Sequence, residues 1–559
     1  MNKRRKKRKL KLGRMIVSLL IIALIVVVIL FLIKGMKRVT SKTAYLSSDT
    51  NTVTIYTFDE KENLKEDSMP RGTEVKATGK SITKEEKTYD EFIYKNQKYY
   101  VQDNVLVDSI KDSVLEKERY VRTSSTIYEN EKDTKIKSYI KKGNKLEIIG
   151  YDSILEDGSI NMYNIKSNDI EGWVYSKYLV ESEEKALENY NENSVYDTHK
   201  DRKYPSRDLH GGSAATLDYY PYQKPEFEDN PLLKEAKAMY LNAGVISSID
   251  SYLDIAKNNG VNAIVVDIKD GALAYPSEVA KEISPTAYNT YINELEDYKS
   301  AIEKIKEAGI YAIGRIVVFN DSHYGKDHPE DCIVSSASNQ LWPSAFARGA
   351  WEYNVNLAIE AVNIIGFNEI QFDYVRFPEQ AYNMSLSGST DFKNTYEEEK
   401  AEAVQNFLFY ALDQIHKTGA YLSVDVFGEC SSEYVTAYGQ YWPAISNIVD
   451  VISSMPYTDH FAARSVDTWS NPYRTVNNWA IGAAKRQTEI PTPAVARTWI
   501  TAYNTPYWNP TVTYDANKIS AQVEALYDAG LTGGFITWNS ASSLAKYNEI
   551  KSAFAKNYE

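Results

Sequence analysis

From about residue 230 onward the apolar positions switch repeatedly between two periods. Short runs of strand character come first: AKAMYLNAG (Ala236–Gly244), AIVVDIKDG (Ala263–Gly271), YAIGRIVVFND (Tyr311–Asp321) and EIQFDYVRF (Glu369–Phe377). YLSVDVFGE (Tyr421–Glu429), VDVISSMPYTD (Val449–Asp459), PAVARTWITAY (Pro493–Tyr503) and GGFITWNS (Gly533–Ser540) follow. Between several of them the spacing lengthens to i, i+3, i+4, as in YINELEDYKSAIEKIKEAGI and ANKISAQVEALYDAGL, which is the signature of an amphipathic helix. Both helical segments end in Ala-Gly just before a strand, a helix C-cap followed by entry into a sheet. Eight strands alternating with helices predict an α/β domain over residues 230–559, a (β/α)8 TIM barrel with insertions. A doubly wound open sheet is the alternative, disfavoured because no Gly-rich phosphate loop follows the first strand.

Upstream the pattern is different. Residues 45–110 and 118–182 read as a diverged repeat of short β runs separated by Gly, Asn and Asp turns. TIY at Thr54–Tyr56 returns at Thr126–Tyr128, RGTEVKATG from Arg71 returns as KGNKLEIIG from Lys142, and YYVQDNVLV ending at Val107 returns as GWVYSKYLV ending at Val180. Residues 183–229 are charged and poor in aliphatics, which predicts an extended or mobile linker. Near the N-terminus, Ile16–Ile33 is an 18-residue run without a charge. As a helix it is roughly 27 Å long, enough to span a bilayer. Residues 15–34 are therefore expected to form a transmembrane helix. The basic arm of residues 1–14, with nine Lys and Arg, would keep the N-terminus cytoplasmic and send the rest of a single-pass membrane protein outside.

Charge changes the picture in one respect. The net charge is −12, and once the basic arm is set aside the body is more acidic still. An acidic body excludes nucleic acid as the main partner, because the phosphate backbone rewards a basic face. Two cysteines, Cys332 and Cys430, are too few for a disulfide scaffold; they either pair or stand as separate thiols.

The chemistry of a (β/α)8 barrel belongs at the C-terminal strand ends, and here those ends are polar. Asp267, Lys269 and Asp270 end the second strand; Asn320 and His323 follow the third; Gln371, Asp373 and Arg376 come from the fourth. Asp425 and Glu429 end the fifth, Tyr457 and Asp459 the sixth, Arg497 and Trp499 lie on the seventh, and Trp538 and Asn539 on the eighth. Residues two apart share a face of a strand, so Asp373 and Asp425 can meet at the barrel mouth. Two carboxylates about 5–9 Å apart are what glycosidic cleavage requires. Arg376 and Arg497 could pair with such carboxylates. Tryptophans at strand ends, Trp499, Trp508 and Trp538 among them, could stack on sugar rings. Sequence marks of competing classes are weak. There is no His-Glu-x-x-His and no Gly-x-Ser-x-Gly, so neither metal nor cofactor is expected.

The motifs NAIVVDIKDG, GRIVVFND, EIQFDYVRFP, SVDVFGE and GGFITWNS occur in an order that resembles a family of glycoside hydrolase domains on bacterial surface proteins, distantly of the alpha-amylase type. In the amylase-type pattern the fourth strand carries Arg-x-Asp with the Asp as nucleophile, and the fifth ends in a catalytic Glu. Gln371-Phe372-Asp373 resembles the first element, with Gln371 in place of Arg, and implies Asp373 as nucleophile. Either Asp425 or Glu429 could be the acid, and VDVFG favours Asp425. The second repeat copy resembles bacterial SH3-like domains through YVRTSSTIYE, KGNKLEII and EGWVYSKYL, implying two small all-β SH3-like barrels that contact the cell wall or act as spacers. The expectation is a membrane-anchored extracellular glycosidase acting on a polysaccharide. The alternatives are a non-catalytic carbohydrate-binding surface protein and a polysaccharide deacetylase or lyase.

Overall fold

The computed structural model describes residues 41–59, 63–132, 134–461, 466–504 and 511–558. The apolar run Ile16–Ile33 and its basic arm lie outside the described residues, as does Trp508. Among the described residues no helix is long and apolar enough to cross a membrane. The single-pass location expected from the sequence thus finds no support among the described residues, and the segment it rests on lies outside them.

The described residues up to 120, with 145–182, form one compact unit, and residues 121–144 with the described residues from 183 onward form a second. In place of two SH3-like barrels, residues 42–107 and 118–180 build two seven-stranded antiparallel sheets with the same order of strands along each. The first has its own apolar core of Ala44, Leu46, Val53, Ile55, Met69, Val75, Phe92 and Val101. The repeat and the compact units do not coincide, because the hairpin Ser125–Tyr128 and Ile136–Ile140 groups with the larger unit. There Tyr128 stacks on Tyr410 and Tyr139 accepts a hydrogen bond from Asn406.

The larger unit is a nearly closed barrel of nine parallel strands, β1 (Ala236–Leu241), β2 (Ala263–Asp270), β3 (Tyr311–Val317), β4 (Glu369–Asp373), β5 (Tyr421–Phe427), β6 (Val451–Met455), β7 (Val495–Ala496), β8 (Thr498–Thr501) and β9 (Gly534–Trp538). The eight-stranded ring expected from the sequence is corrected here. Its seventh stretch breaks at Arg497 into β7, which pairs with β6, and β8, which pairs with β9. The ladder path runs from β7 round to β8 without closing on itself. Helices cover the outside, including α1 (Ile249–Asn259), α2 (Leu295–Glu307), α3 (Arg348–Ile365), α4 (Lys400–Ile415), α5 (Pro472–Gln487), α6 (Ala516–Asp528) and α7 (Leu544–Ala555). The barrel axis is filled by Ala236, Ala238, Tyr240, Val265, Ile313, Trp499 and Ile536. Gly533-Gly534 explains how β9 fits. A Cβ on Gly534 would lie 2.0 Å from the Ala236 carbonyl oxygen, and Gly534 sits at φ +88°, where only glycine is unstrained.

Residues 183–229 depart from the expected linker. Val195, Ala214, Leu217 and Tyr219 are buried against Ala401, Val435, Tyr441 and Ala444. The segment is poor in aliphatics but rich in tyrosine, and aromatic rings supply the buried area that aliphatic counting misses.

Candidate active site

Strand register decides which polar side chains meet. In β2, β3 and β4 the partners Asp267, Arg315 and Gln371 lie side by side. One step further toward the C-terminal ends, β4 pairs with β5 up to Phe372 and Val424. Asp373 and Asp425 are the next residues on these neighbouring strands, whose backbones run about 4.8 Å apart. The two carboxylates are therefore brought together.

What joins them is Arg315, a residue on β3 that strand patterning did not single out. Its guanidinium is 3% exposed. Nη1 donates to Asp267 Oδ1 at 2.7 Å and to Asp270 Oδ2 at 3.0 Å, and Nη2 donates to Asp373 Oδ2 at 2.6 Å. Asp425 Oδ2 lies 3.8 Å from Nε. One cation thus faces four carboxylates. Asp425 accepts from Trp499 Nε1 at 2.7 Å through Oδ1, while its buried Oδ2 has no hydrogen-bond partner. Burial and the neighbouring Asp373 charge raise the Asp425 pKa well above the usual carboxylate value, against the pull of Arg315. Burial also raises Asp267 to about 6, although it accepts from Tyr240 Oη and pairs with Arg315.

The two carboxylates are well covered. Asp373 is 4% exposed and Asp425 1%. Tyr240, Tyr457, Trp499 and Trp538 surround them, with Tyr457 stacked on Trp538 at 6.2 Å and Trp499 edge-on to Trp538 at 5.5 Å. Immediately after Asp373, Tyr374 adopts φ +55°, an uncommon conformation for a side chain of this size. Its backbone N–H donates to Asp373 Oδ1 at 2.6 Å, so the turn orients the carboxylate.

The other residues expected at the site divide by position. Asp270 is at the rim, 46% exposed, and Asn539 follows Trp538 there, largely buried. Gln371 is fully buried deeper in the barrel and donates to Ser453 Oγ at 3.1 Å. Lys269 is turned out of the barrel by an irregularity in the ladder between Asp267 and Lys269. It pairs with Asp321 at 2.5 Å and donates to Asn354 on α3. Asn320, in the loop after β3, accepts from Gln340, and His323, on the short helix Ser322–Asp327, bonds the Gly271 carbonyl. Glu429 accepts from Tyr434 and Tyr438, each at 2.9 Å, and Asp459 accepts from Tyr503 at 2.7 Å. Arg376 lies beyond β4 among aromatic rings. Arg497 is elsewhere. It pairs with Glu369, the first residue of β4, and donates to the Leu233 carbonyl, at the N-terminal end of the barrel. Cys332 and Cys430 are free and buried.

Among solved structures, the chain is similar to a hypothetical protein from Ruminiclostridium thermocellum, 31% identical, over 34% of this chain and 97% of that one, with a TM-score of 0.29. It also matches the PgaB (BpsB) glycoside hydrolase domain from Bordetella bronchiseptica at 11% identity over 58% of this chain and 99% of that one, TM-score 0.43. A third match is the spore cortex-lytic enzyme SleL from Bacillus megaterium, at 13% identity over 58% and 76%, TM-score 0.36. No curated protein matches. The family profile described as "Putative glycosyl hydrolase domain" matches residues 238–544, which contain β2 to β9, the larger part of β1, Arg315 and all four carboxylates it gathers. The chain belongs to this family of glycosyl hydrolase domains.

Proposed function

We propose that the barrel cleaves a glycosidic bond within a polysaccharide, with Asp373 and Asp425 as the working pair. The observation that carries this reading is the asymmetric grip of Arg315. Asp373 forms a short ion pair with it at 2.6 Å, whereas Asp425 stands off at 3.8 Å with Oδ2 unpartnered. Two like groups in one buried site are driven apart in proton affinity. Asp425 then carries the proton that the departing glycosidic oxygen takes up, and Asp373 faces the positive charge that develops at the anomeric carbon. Two carboxylates one strand apart match the short separation, about 5 Å, of a retaining enzyme, in which Asp373 attacks and a covalent glycosyl intermediate is later hydrolysed. The rings of Tyr457, Trp499 and Trp538 supply flat surfaces for sugar stacking. Because the pair is so well covered, substrate entry displaces part of this aromatic wall.

The reading is tested by reducing-end release from a panel of neutral, amino-sugar and acidic polysaccharides, using the purified chain beside Asp373→Asn and Asp425→Asn. Cleavage by the parent and its loss in both variants supports the assignment. Cleavage at an unchanged rate by either variant removes that residue from the pair. A parent that binds glycans and cleaves none supports the non-catalytic alternative.

A further inference from the structure

Among the described residues five arginines are buried: Arg71, Arg315, Arg376, Arg486 and Arg497. Four of them meet a carboxylate that is itself largely buried. Arg71 faces Glu116 (1% exposed), Arg315 faces Asp267, Asp373 and Asp425 (5%, 6% and 0%), Arg486 faces Glu489 (12%) and Arg497 faces Glu369 (0%). Arg376 does not. Its side chain is 3% exposed, yet among the described residues the carboxylate within ion-pair distance is Glu379, three residues on, 3.3 Å away and 65% exposed; the buried Asp373 acts on it only from further off. Its Nη1 donates to the Phe377 carbonyl at 3.0 Å.

A buried guanidinium without a buried counter-charge is costly. Aromatic faces offset part of that cost. The Arg376 guanidinium lies over Phe427 at 4.3 Å, Tyr374 at 4.7 Å and Trp342 at 5.3 Å. Burial still pulls its pKa below the ordinary arginine value. The place of this cage matters. Phe427 is two residues beyond Asp425 on β5 and shares its face. Tyr374 directly follows Asp373, and the Arg376 N–H donates to the Tyr374 carbonyl at 2.9 Å, closing a tight turn. The cage therefore stands on the rim above both carboxylates. Two strand residues rise about 7 Å, a little more than the length of one sugar ring.

The geometry points to Arg376 as a specificity-determining residue that receives the carboxylate of an acidic sugar in the subsite next to the scissile bond, Glu379 being the exposed stand-in that this carboxylate displaces. A guanidinium takes a carboxylate as a planar, two-pronged partner, and Glu379, 65% exposed, can turn out into water when another carboxylate takes its place. The four acids around Arg315 keep an anionic group out of the central position, so an acidic sugar fits only off-centre, at Arg376. This inference rests on the glycosidase reading for its subsite, but not for its binding test.

That test is calorimetric titration of the full chain with uronic-acid oligosaccharides from hyaluronan, alginate and pectin, each beside its carboxyl-reduced counterpart. The expected result is at least tenfold preference for one acidic form over its reduced partner. Arg376→Met abolishes the preference, Arg376→Lys retains part of it, and Glu379→Ala increases it severalfold. Glu379 is on the surface, so that arm stands even where Arg376→Met fails to fold. Equal or absent binding of every acidic and reduced pair, or a preference that Glu379→Ala leaves unchanged or lowers, overturns the inference. If neutral polysaccharide is cleaved without any acidic preference, only this inference falls. If the preference holds and nothing on the panel is cleaved, the glycosidase reading falls and the carboxylate site stands.

Discussion

The two ends of the same barrel handle buried charge in opposite ways. At the N-terminal end, Arg497 meets Glu369 at 2.7 Å, both fully buried, one cation to one anion, with a backbone carbonyl taking the second guanidinium arm. At the C-terminal end, Arg315 faces four carboxylates. The first arrangement is balanced and can do nothing but hold β4 against β7 and β8. The second is over-supplied with acid, so protons are retained where a free carboxylate would have lost them. An imbalance of that kind costs stability, and a fold keeps it where it is used.

The sharpest way to break this contrast is to neutralise acids at each end. Asp373→Asn and Asp425→Asn are expected to lower the rate of polysaccharide cleavage by about 10²–10⁴-fold, with thermal midpoints equal to or above that of the parent. A stability loss matching the activity loss would make the C-terminal cluster structural as well. At the other end Glu369→Gln leaves Arg497 buried without its anion. The expected loss is about 3–5 kcal/mol in urea unfolding, with the rate per folded molecule retained.

A smaller effect sharpens the comparison through pH. Asp267 has its pKa raised from 3.8 to about 6 by burial. Between these values the folded chain binds a proton that the unfolded chain has lost, so stability falls as pH rises through that window. The contribution is present in full below about pH 4 and is lost above about pH 6, on the order of 2–3 kcal/mol. Asp267→Asn should flatten that part of the stability–pH curve, measured by chemical denaturation at successive pH values. A curve with the parent's slope would mean that Asp267 does not hold the proton.

The contrast also explains what could be read from the chain. Asp373 and Asp425 were legible because each lies at the end of a strongly alternating strand, where period-two spacing fixes the face. Arg315 was not. Within YAIGRIVVFND it looks like one polar interruption of a core strand, and its meaning comes only from Asp267, Asp270, Asp373 and Asp425, which three other strands deliver. Arg497 and Lys269 went the other way. Both sit in polar strand stretches, but Arg497 reaches the far end of the barrel, and a ladder irregularity turns Lys269 outward. Alternation does not say toward which end a long side chain extends, nor does it foresee an irregular step. The same limit hid the break at Arg497, because β7 and β8 read as one continuous run. The buried course of residues 183–229 was missed for a different reason, since the linker expectation weighed charge and aliphatic content and left its tyrosines out.

The central claim is that Asp425 gives the proton and Asp373 faces the anomeric carbon. Leaving-group dependence measures this most directly. On an aryl glycoside with an activated phenol, which departs without protonation, Asp425→Asn should keep a kcat/KM close to the parent's while failing on polysaccharide, and Asp373→Asn should fail on both. Equal losses for the two variants on both substrates, or the reverse pattern, would contradict the assignment.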